Sequence, residues 1–311
     1  MSLNIKQVAG KKERFSGGHR LCAGCGAGSV VRAVLASLEE DDPAVITCAT
    51  GCLQVSSFLY PYTSWKDSYI HSAFENAAAT ASGAEAAYKA LKKRGKIEDD
   101  FKFIVFGGDG GTYDIGFQSL SGAMERGHNL TYVCYDNGAY MNTGIQRSSA
   151  TPMYANATTT PVGSESTGNK TFRKDLTEIL AAHHIPYAAQ TAPFKNYNDL
   201  YTKAQKAIYK DGPSFLNVFT PCPRGWRYSP EKMLGIVELA IDTCFWPLYE
   251  VVEDCWTLTY KPKQKKPVED FLRTQGRFSH LFKPENKNLI KEIQDEVDRR
   301  WELLLDRCER S

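Results

Sequence analysis

Two apolar runs, at residues 103–106 and 130–135, each stop at a glycine-flanked acid or amide. The first ends in Gly107-Gly108-Asp109-Gly110-Gly111 and the second in Asp136-Asn137-Gly138. Short apolar runs bounded by turn residues and separated by an amphipathic stretch read as two buried strands joined by a helix. Such a unit builds a parallel sheet, and in an open parallel sheet ligands bind at the carboxyl ends of the strands. Asp109 and Asn137 fall at those ends, where their oxygens can share one hard cation. Gly108, Gly110 and Gly111 leave backbone N–H groups open to a diphosphate. The stretch therefore predicts a cofactor site.

The alternation continues on both sides. Residues 44–48 read as a strand running into Ala49-Thr50-Gly51-Cys52. Residues 186–190 and 214–219 read as further strands, the second ending at Thr220-Pro221-Cys222-Pro223. Helices are expected over 29–38, with Val30, Val31, Val34 and Leu35 on one face, over the alanine-rich 74–93, from 175 onward, and over about 199–210. This order predicts an α/β protein with a doubly wound, mostly parallel sheet and a C-terminal helical extension. Residues 147–171, rich in Ser, Thr, Pro and Gly, form a loop long enough to expect a functional role. The expected organisation is an N-terminal arm over 1–18, a cofactor domain over 19–245 and an extension over 246–311. The extension opens aromatic and then lysine-rich to residue 267, which suggests a surface lobe. It closes on an amphipathic helix over 287–308, expected to pack on its own domain.

With 42% apolar and 24% charged residues and a formal charge of +2, the chain has the balance of a soluble globular protein. That charge excludes nucleic acid or an acidic membrane as the main partner. The first fifteen residues hold no apolar signal core, and no stretch approaches the ~18 apolar residues of a membrane span. A cytoplasmic location is expected, where nine cysteines serve as thiols or metal ligands rather than disulfides.

Cys22 and Cys25 form a Cys-x-x-Cys among glycines in HRLCAGCGAG, and Cys52 and Cys222 each follow a strand directly. Strand ends of one sheet share an edge, so these four thiols can converge. Four thiolates suit tetrahedral zinc or an iron–sulfur cluster, and the ligand set alone does not choose. Cys48 and Cys134, inside strands, and Cys244, Cys255 and Cys308, among apolar residues, read as small buried hydrophobes.

HRLCAGCGAG, ATGC, GGDGGTYDIG, YDNGAYMNTGIQRS and TPCPRGW, in this order and spacing, resemble the beta subunit of 2-oxoacid:ferredoxin oxidoreductases of the pyruvate:ferredoxin type. The likeness runs from about residue 18 to about 280. It implies a thiamine-diphosphate-binding fold that also holds one [4Fe–4S] cluster, with Cys22, Cys25, Cys52 and Cys222 as its ligands. By the same resemblance Asp109, Asn137 and the Ala139 carbonyl hold Mg2+, and Gly108, Gly110 and Gly111 receive the diphosphate. Asn142 faces the substrate end of the thiazolium as the catalytic candidate, with Thr143 and Gln146 nearby. Implied partners are alpha-, gamma- and delta-type subunits, ferredoxin, a small 2-oxo acid and coenzyme A.

The implied set has a gap and a departure. Thiamine-diphosphate enzymes place a Glu against the aminopyrimidine, and in this family it comes from the partner chain; no Glu here fits the role, so the chain alone is expected to be inactive. Pyruvate-type relatives often read DNE where this chain reads Asp136-Asn137-Gly138. Loss of that carboxylate would lessen repulsion of a dianion, which makes oxalate a substrate hypothesis beside pyruvate. His19, His71 and His128 read as surface or cap histidines, with His71 near the expected cavity. Two other readings stand: a non-oxidative thiamine-diphosphate decarboxylase or synthase, and an α/β module with structural zinc.

Overall fold

The computed structural model describes residue 3, residues 5–193 and residues 197–311, so Met1, Ser2 and Asn4 of the expected arm lie outside the described residues. Among the described residues ten strands occur in chain order: β1 (Ala44–Ala49), β2 (Phe58–Leu59), β3 (Tyr62–Thr63), β4 (Ser68–Ser72), β5 (Lys102–Gly108), β6 (Thr131–Asp136), β7 (Tyr187–Thr191), β8 (Ser214–Phe219), β9 (Leu248–Val252) and β10 (Cys255–Tyr260). β2 and β3 form a small hairpin, and the other eight make one sheet in the order β10-β9-β7-β8-β6-β5-β1-β4. β4, β1, β5, β6, β8 and β7 run parallel, whereas β9 and β10 are added antiparallel at one edge.

The central strands are buried on both faces, which is why they read as unbroken apolar runs rather than alternating ones. Phe103 and Val105 of β5 enter one core, and Ile104 and Phe106 enter the other. Helices Ala77–Lys93, Phe117–Glu125, Leu176–Ala181, Met233–Asp242 and Lys287–Arg310 cover the first face; Gly26–Ala36 and Asn198–Tyr209 cover the second. Ala77, Ala78 and Ala81 are buried in the first core, so the alanine-rich helix packs closely on the sheet. The sheet is doubly wound, as expected.

Three features differ from the sequence reading. β4, with the sequence SYIHS, is an edge strand with exposed residues on both faces, so it carries no apolar signal. The stretch expected as a surface lobe supplies β9 and β10 and lengthens the main sheet. Cys255, expected as a buried hydrophobe, is exposed on that outer strand, while Cys48, Cys134 and Cys244 are buried and Cys308 is half-buried. The terminal helix Lys287–Arg310 buries Ile293, Val297, Trp301 and Leu304 against its own chain. Arg307 pairs with Glu178 at 2.6 Å and stacks over Trp256. Among the described residues no helix is long and apolar enough to cross a membrane.

The chain goes from β1 outward to β4 and then back across β1 to β5. The order across the sheet therefore reverses at the β1/β5 boundary, where a crevice opens beyond the strand ends. The expected residues emerge at that edge.

Candidate cofactor site

Asp109 follows β5 and Asn137 follows β6, on adjacent parallel strands. One terminal atom of the Asn137 amide stands 2.9 Å from the Ala139 carbonyl oxygen and 3.0 Å from Asp109 Oδ1. Hydrogen bonding alone would put the amide nitrogen there, donating to both. With the amide oxygen there, three acceptors meet, an arrangement that a bound cation would make favourable. Neighbouring ligands of an octahedral magnesium ion with bonds of about 2.1 Å stand about 3.0 Å apart. The spacing fits that ion.

The loop is held open to this role because its other carbonyls are taken. Trp226 Nε1 donates to Asn137 O at 2.7 Å, and Thr151 Oγ1 donates to Gly138 O at 2.8 Å. Ser148 Oγ donates to Asp109 Oδ2 at 2.5 Å and the Asn137 N–H to Asp109 Oδ1 at 3.2 Å. Burial, together with the neighbouring Asp136 carboxylate, pushes Asp109 well above the usual carboxylate range. An added cation would favour the ionised form.

Asp136 anchors the loop from below. Its Oδ1 accepts the Gly138 N–H at 3.0 Å, and its Oδ2 accepts Tyr113 Oη at 2.7 Å and Arg173 Nη2 at 2.6 Å. Arg173 stacks over Trp246 at 4.4 Å. Sequence reasoning missed Asp136, Tyr113, Arg173, Ser148, Thr151 and Trp226 as supports, since, apart from the local Asp136–Gly138 bond, they act across separations of 13 residues or more. The start of the loop over 147–171 supplies two of them, in keeping with its expected role.

The glycines of the β5 turn are crowded by the protein itself. A Cβ on Gly110 would stand 2.3 Å from the Tyr140 ring, one on Gly108 3.3 Å from Tyr135, and one on Gly111 3.0 Å from the Phe74 carbonyl. Their first duty is to let these groups in. The backbone then turns into a π-helical stretch, Gly110–Ile115, that leads into the helix Phe117–Glu125. Such a start leaves N–H groups without intrahelical partners.

A cleft joins this turn to Cys52. Thr50, Gly51, Cys52, Gly108–Gly111, Tyr135, Asn137, Ala139, Asn142 and Thr143 all border it. The Tyr135 hydroxyl is buried there without a hydrogen-bond partner of acceptable geometry among the described residues. A buried orphan donor of this kind fits a site meant for a polar ligand. Asn142 is exposed at the cleft and its side chain makes no hydrogen bond among the described residues, whereas Thr143 Oγ1 donates to Gln146 Oε1 at 2.6 Å.

Cys25 caps the helix Gly26–Ala36, Cys52 opens the helix Cys52–Ser57, and Cys222 caps the turn Pro223–Trp226, its sulfur accepting the Gly225 N–H at 3.4 Å. The Gly26 N–H donates to Pro221 O at 3.0 Å, and Tyr228 Oη to Gly24 O at 2.7 Å, so the first cysteine loop is tied to the Cys222 turn. Burial pushes the Cys25 thiol up to about 12, with Cys222, Cys52 and Cys22 adding repulsion. Burial likewise pushes Cys52 up to about 11, with Cys222, Cys22 and Asp109 contributing. The four thiols thus lie within one another's electrostatic reach, and Cys52 also senses the Asp109 loop. Among the described residues no three Cys, His, Asp or Glu side chains close on a single ion.

The histidines take minor places. His128 Nδ1 pairs with Glu85 at 2.9 Å, and His19 stacks on Phe15 at 5.2 Å. His71 Nε2 meets the hydroxyl of Thr50, which borders the cleft, at 2.9 Å.

The departure at position 138 resolves in an unforeseen direction. A Cβ on Gly138 would point away from the cleft, 3.0 Å from Arg277 Nη1 and 3.3 Å from Pro152. A side chain at 138 would thus start toward Arg277 and Pro152, neither of which borders the cleft.

Residues 49–218 match the family "Thiamine pyrophosphate enzyme, C-terminal TPP binding domain". The chain is 53% identical to pyruvate synthase subunit PorB of Thermotoga maritima, over 98% of this chain and 96% of the relative. It is 52% identical to pyruvate synthase subunit PorB of Methanocaldococcus jannaschii, over 94% and 97%. Ketoisovalerate oxidoreductase subunit VorB of Pyrococcus furiosus is 41% identical, over 93% and 92%. A solved structure, 2-oxoglutarate:ferredoxin oxidoreductase from Magnetococcus marinus with 2-oxoglutarate, coenzyme A and succinyl-CoA bound, aligns at a TM-score of 0.57 and 24% identity, over 68% of this chain and 67% of that one. It shares the fold.

Proposed function

This chain belongs to the family of pyruvate synthase PorB subunits and carries a thiamine pyrophosphate enzyme domain, and we propose that it is the cofactor-bearing beta subunit of a hetero-oligomeric 2-oxoacid:ferredoxin oxidoreductase. In this reading it serves the oxidative decarboxylation of a small 2-oxo acid, pyruvate with coenzyme A as acceptor, and passes the electrons to ferredoxin in the cytoplasm. The observation that carries it is the meeting of the Asn137 amide, Ala139 O and Asp109 Oδ1 in a cleft that Cys52 also borders.

Asp109, Asn137 and Ala139 O would hold Mg2+, and the turn at Gly108, Gly110 and Gly111 would receive the diphosphate. Thiamine diphosphate, when bound, supplies the carbon nucleophile and electron sink that cleavage beside a 2-oxo group requires. Asn142 and Thr143 border the open side of the cleft, where a substrate carboxylate or carbonyl can be oriented by the Asn142 amide. Cys22, Cys25, Cys52 and Cys222 would ligate a [4Fe–4S] cluster. The four thiols lie within one another's electrostatic reach, which suits a cluster in which each thiolate binds its own iron. Because Cys52 borders the cleft, a cluster on these cysteines would accept electrons close to a cofactor bound there.

No glutamate borders the cleft among the described residues. The activating carboxylate is therefore assigned to an alpha-type partner chain, and the open cleft becomes one wall of a shared site. Anaerobic purification from the native source with subunit, iron, sulfide and thiamine-diphosphate analysis tests the assignment. A homogeneous single chain that turns over with thiamine diphosphate, magnesium and an acceptor would refute the shared site.

Oxalate is a second reading. With glycine at 138 no side chain from that position meets Arg277, which leaves more positive charge near the loop and favours a dianionic substrate. Acceptor reduction with pyruvate and coenzyme A is compared with oxalate alone; activity confined to pyruvate removes the oxalate reading.

A further inference from the structure

Arg277 is 3% exposed, in the stretch Gly276–Phe282. Its Nε donates to Gln275 Oε1 at 2.9 Å, and its guanidinium stacks 4.1 Å from the Trp226 ring. Its terminal nitrogens make no hydrogen bond, and no carboxylate comes within 4.0 Å of them, among the described residues. Lys203, 1% exposed, shows the usual arrangement instead: its ammonium is met by Asp199, Gln190 O and Thr259 Oγ1. A buried cation left without an acceptor is costly, and such a group points to an anion that the folded chain alone does not contain.

Three acidic groups lie within its electrostatic reach: Asp136, Cys222 and Asp109. Asp136 is already engaged by Arg173, Tyr113 and the Gly138 N–H, and Asp109 by Ser148 and the Asn137 N–H. Cys222 is the least engaged of the three, its sulfur accepting the Gly225 N–H at 3.4 Å, and it is the N-cap of the one-turn helix that ends at Trp226, on which Arg277 stacks. Burial lowers the Arg277 group to about 9, with Asp136, Cys222 and Asp109 pulling it back up, and a guanidinium so placed keeps its charge at neutral pH.

We propose that Arg277 is the counter-charge of the four-cysteine centre, acting through Cys222 to favour its reduced state. This rests on reading Cys22, Cys25, Cys52 and Cys222 as cluster ligands. The centre becomes more negative by one charge when reduced, so a fixed cation beside one ligand stabilises the reduced form over the oxidised one. Gly138 is part of the device, because a carboxylate there would stand against Nη1 and cancel the charge.

The test is a redox titration of the cluster's paramagnetic signal in the full chain, with iron and sulfide measured in every variant. Arg277→Met is expected to cut the reduced-to-oxidised ratio at a fixed ambient potential about tenfold, or about 59 mV for one electron. Gly138 has φ +72°, a region that Asp and Asn tolerate well, so Gly138→Asp and Gly138→Asn differ only in charge. The Asp variant should shift in the same direction as Arg277→Met, and the Asn variant should not. Should Arg277→Met fail to fold, this pair decides alone. Normal iron content with unchanged potential in Arg277→Met, or equal potentials in the Gly138 pair, overturns the role of Arg277. A chain without iron or sulfide overturns the cluster reading beneath it.

Discussion

The indole Nε1 of Trp226 donates a 2.7 Å hydrogen bond to the carbonyl oxygen of Asn137. The turn that starts at Cys222 and the loop that presents Asp109's partners are therefore one mechanical unit, although they lie far apart in the chain.

Trp226→Phe removes that bond and keeps most of the buried ring. A net hydrogen bond of about 1 kcal/mol predicts a loss of roughly fivefold in magnesium-dependent thiamine diphosphate binding, read by fluorescence titration. Unchanged affinity would mean that the loop is held without Trp226.

Asp109 makes binding depend on pH. Its carboxyl is raised above the ordinary 3.8 by burial and by Asp136. The folded chain then holds a proton that the unfolded chain has already lost, so this group's contribution to stability falls as pH rises from the ordinary value to the raised one. Magnesium competes with that proton. The cofactor-free chain should lose melting temperature over this window relative to Asp109→Asn, and magnesium with thiamine diphosphate should remove the difference. A wild-type profile parallel to that of the variant would contradict the assignment.

The thiols should differ in reactivity. Cys25, raised to about 12, and Cys52, raised to about 11, hold almost no thiolate at neutral pH in the metal-free chain. Cys22 is exposed. Limited alkylation followed by mass spectrometry should label Cys22 well before Cys25, and the cluster-loaded chain should resist labelling at both. Equal rates at Cys22 and Cys25 would count against the burial argument.

Gly110→Ala should be costly for a reason unrelated to phosphate. The added methyl would stand 2.3 Å from the Tyr140 ring. Overpacking of this kind destabilises by about 1–3 kcal/mol, measurable as a shift in the denaturant midpoint with an unchanged slope. A neutral effect would show that Tyr140 moves aside freely.

Much of this arrangement was legible in the chain. Strands that end at Cys52, Asp109, Asn137 and Cys222 announce themselves because burial on both faces demands continuous apolar residues, and glycine or proline must follow where the backbone turns sharply. Both signals are local. β4 was not legible, since SYIHS is held by pairing with β1 rather than by burial of its side chains. Nor were β9 and β10, whose lysine-rich flank resembles a surface lobe.

The motif residues and their order came from sequence alone. Which way each one faces was decided by the tertiary structure. Gly138 reads as a missing charge beside a substrate, yet the bonds from Asp136, Thr151 and Trp226 turn its Cα away from the cleft and toward Arg277. The same three contacts leave Ala139 O and the Asn137 amide turned to Asp109. A loop of few residues has many backbone conformations of similar energy, and long-range hydrogen bonds select among them. Sequence periodicity carries no trace of that choice.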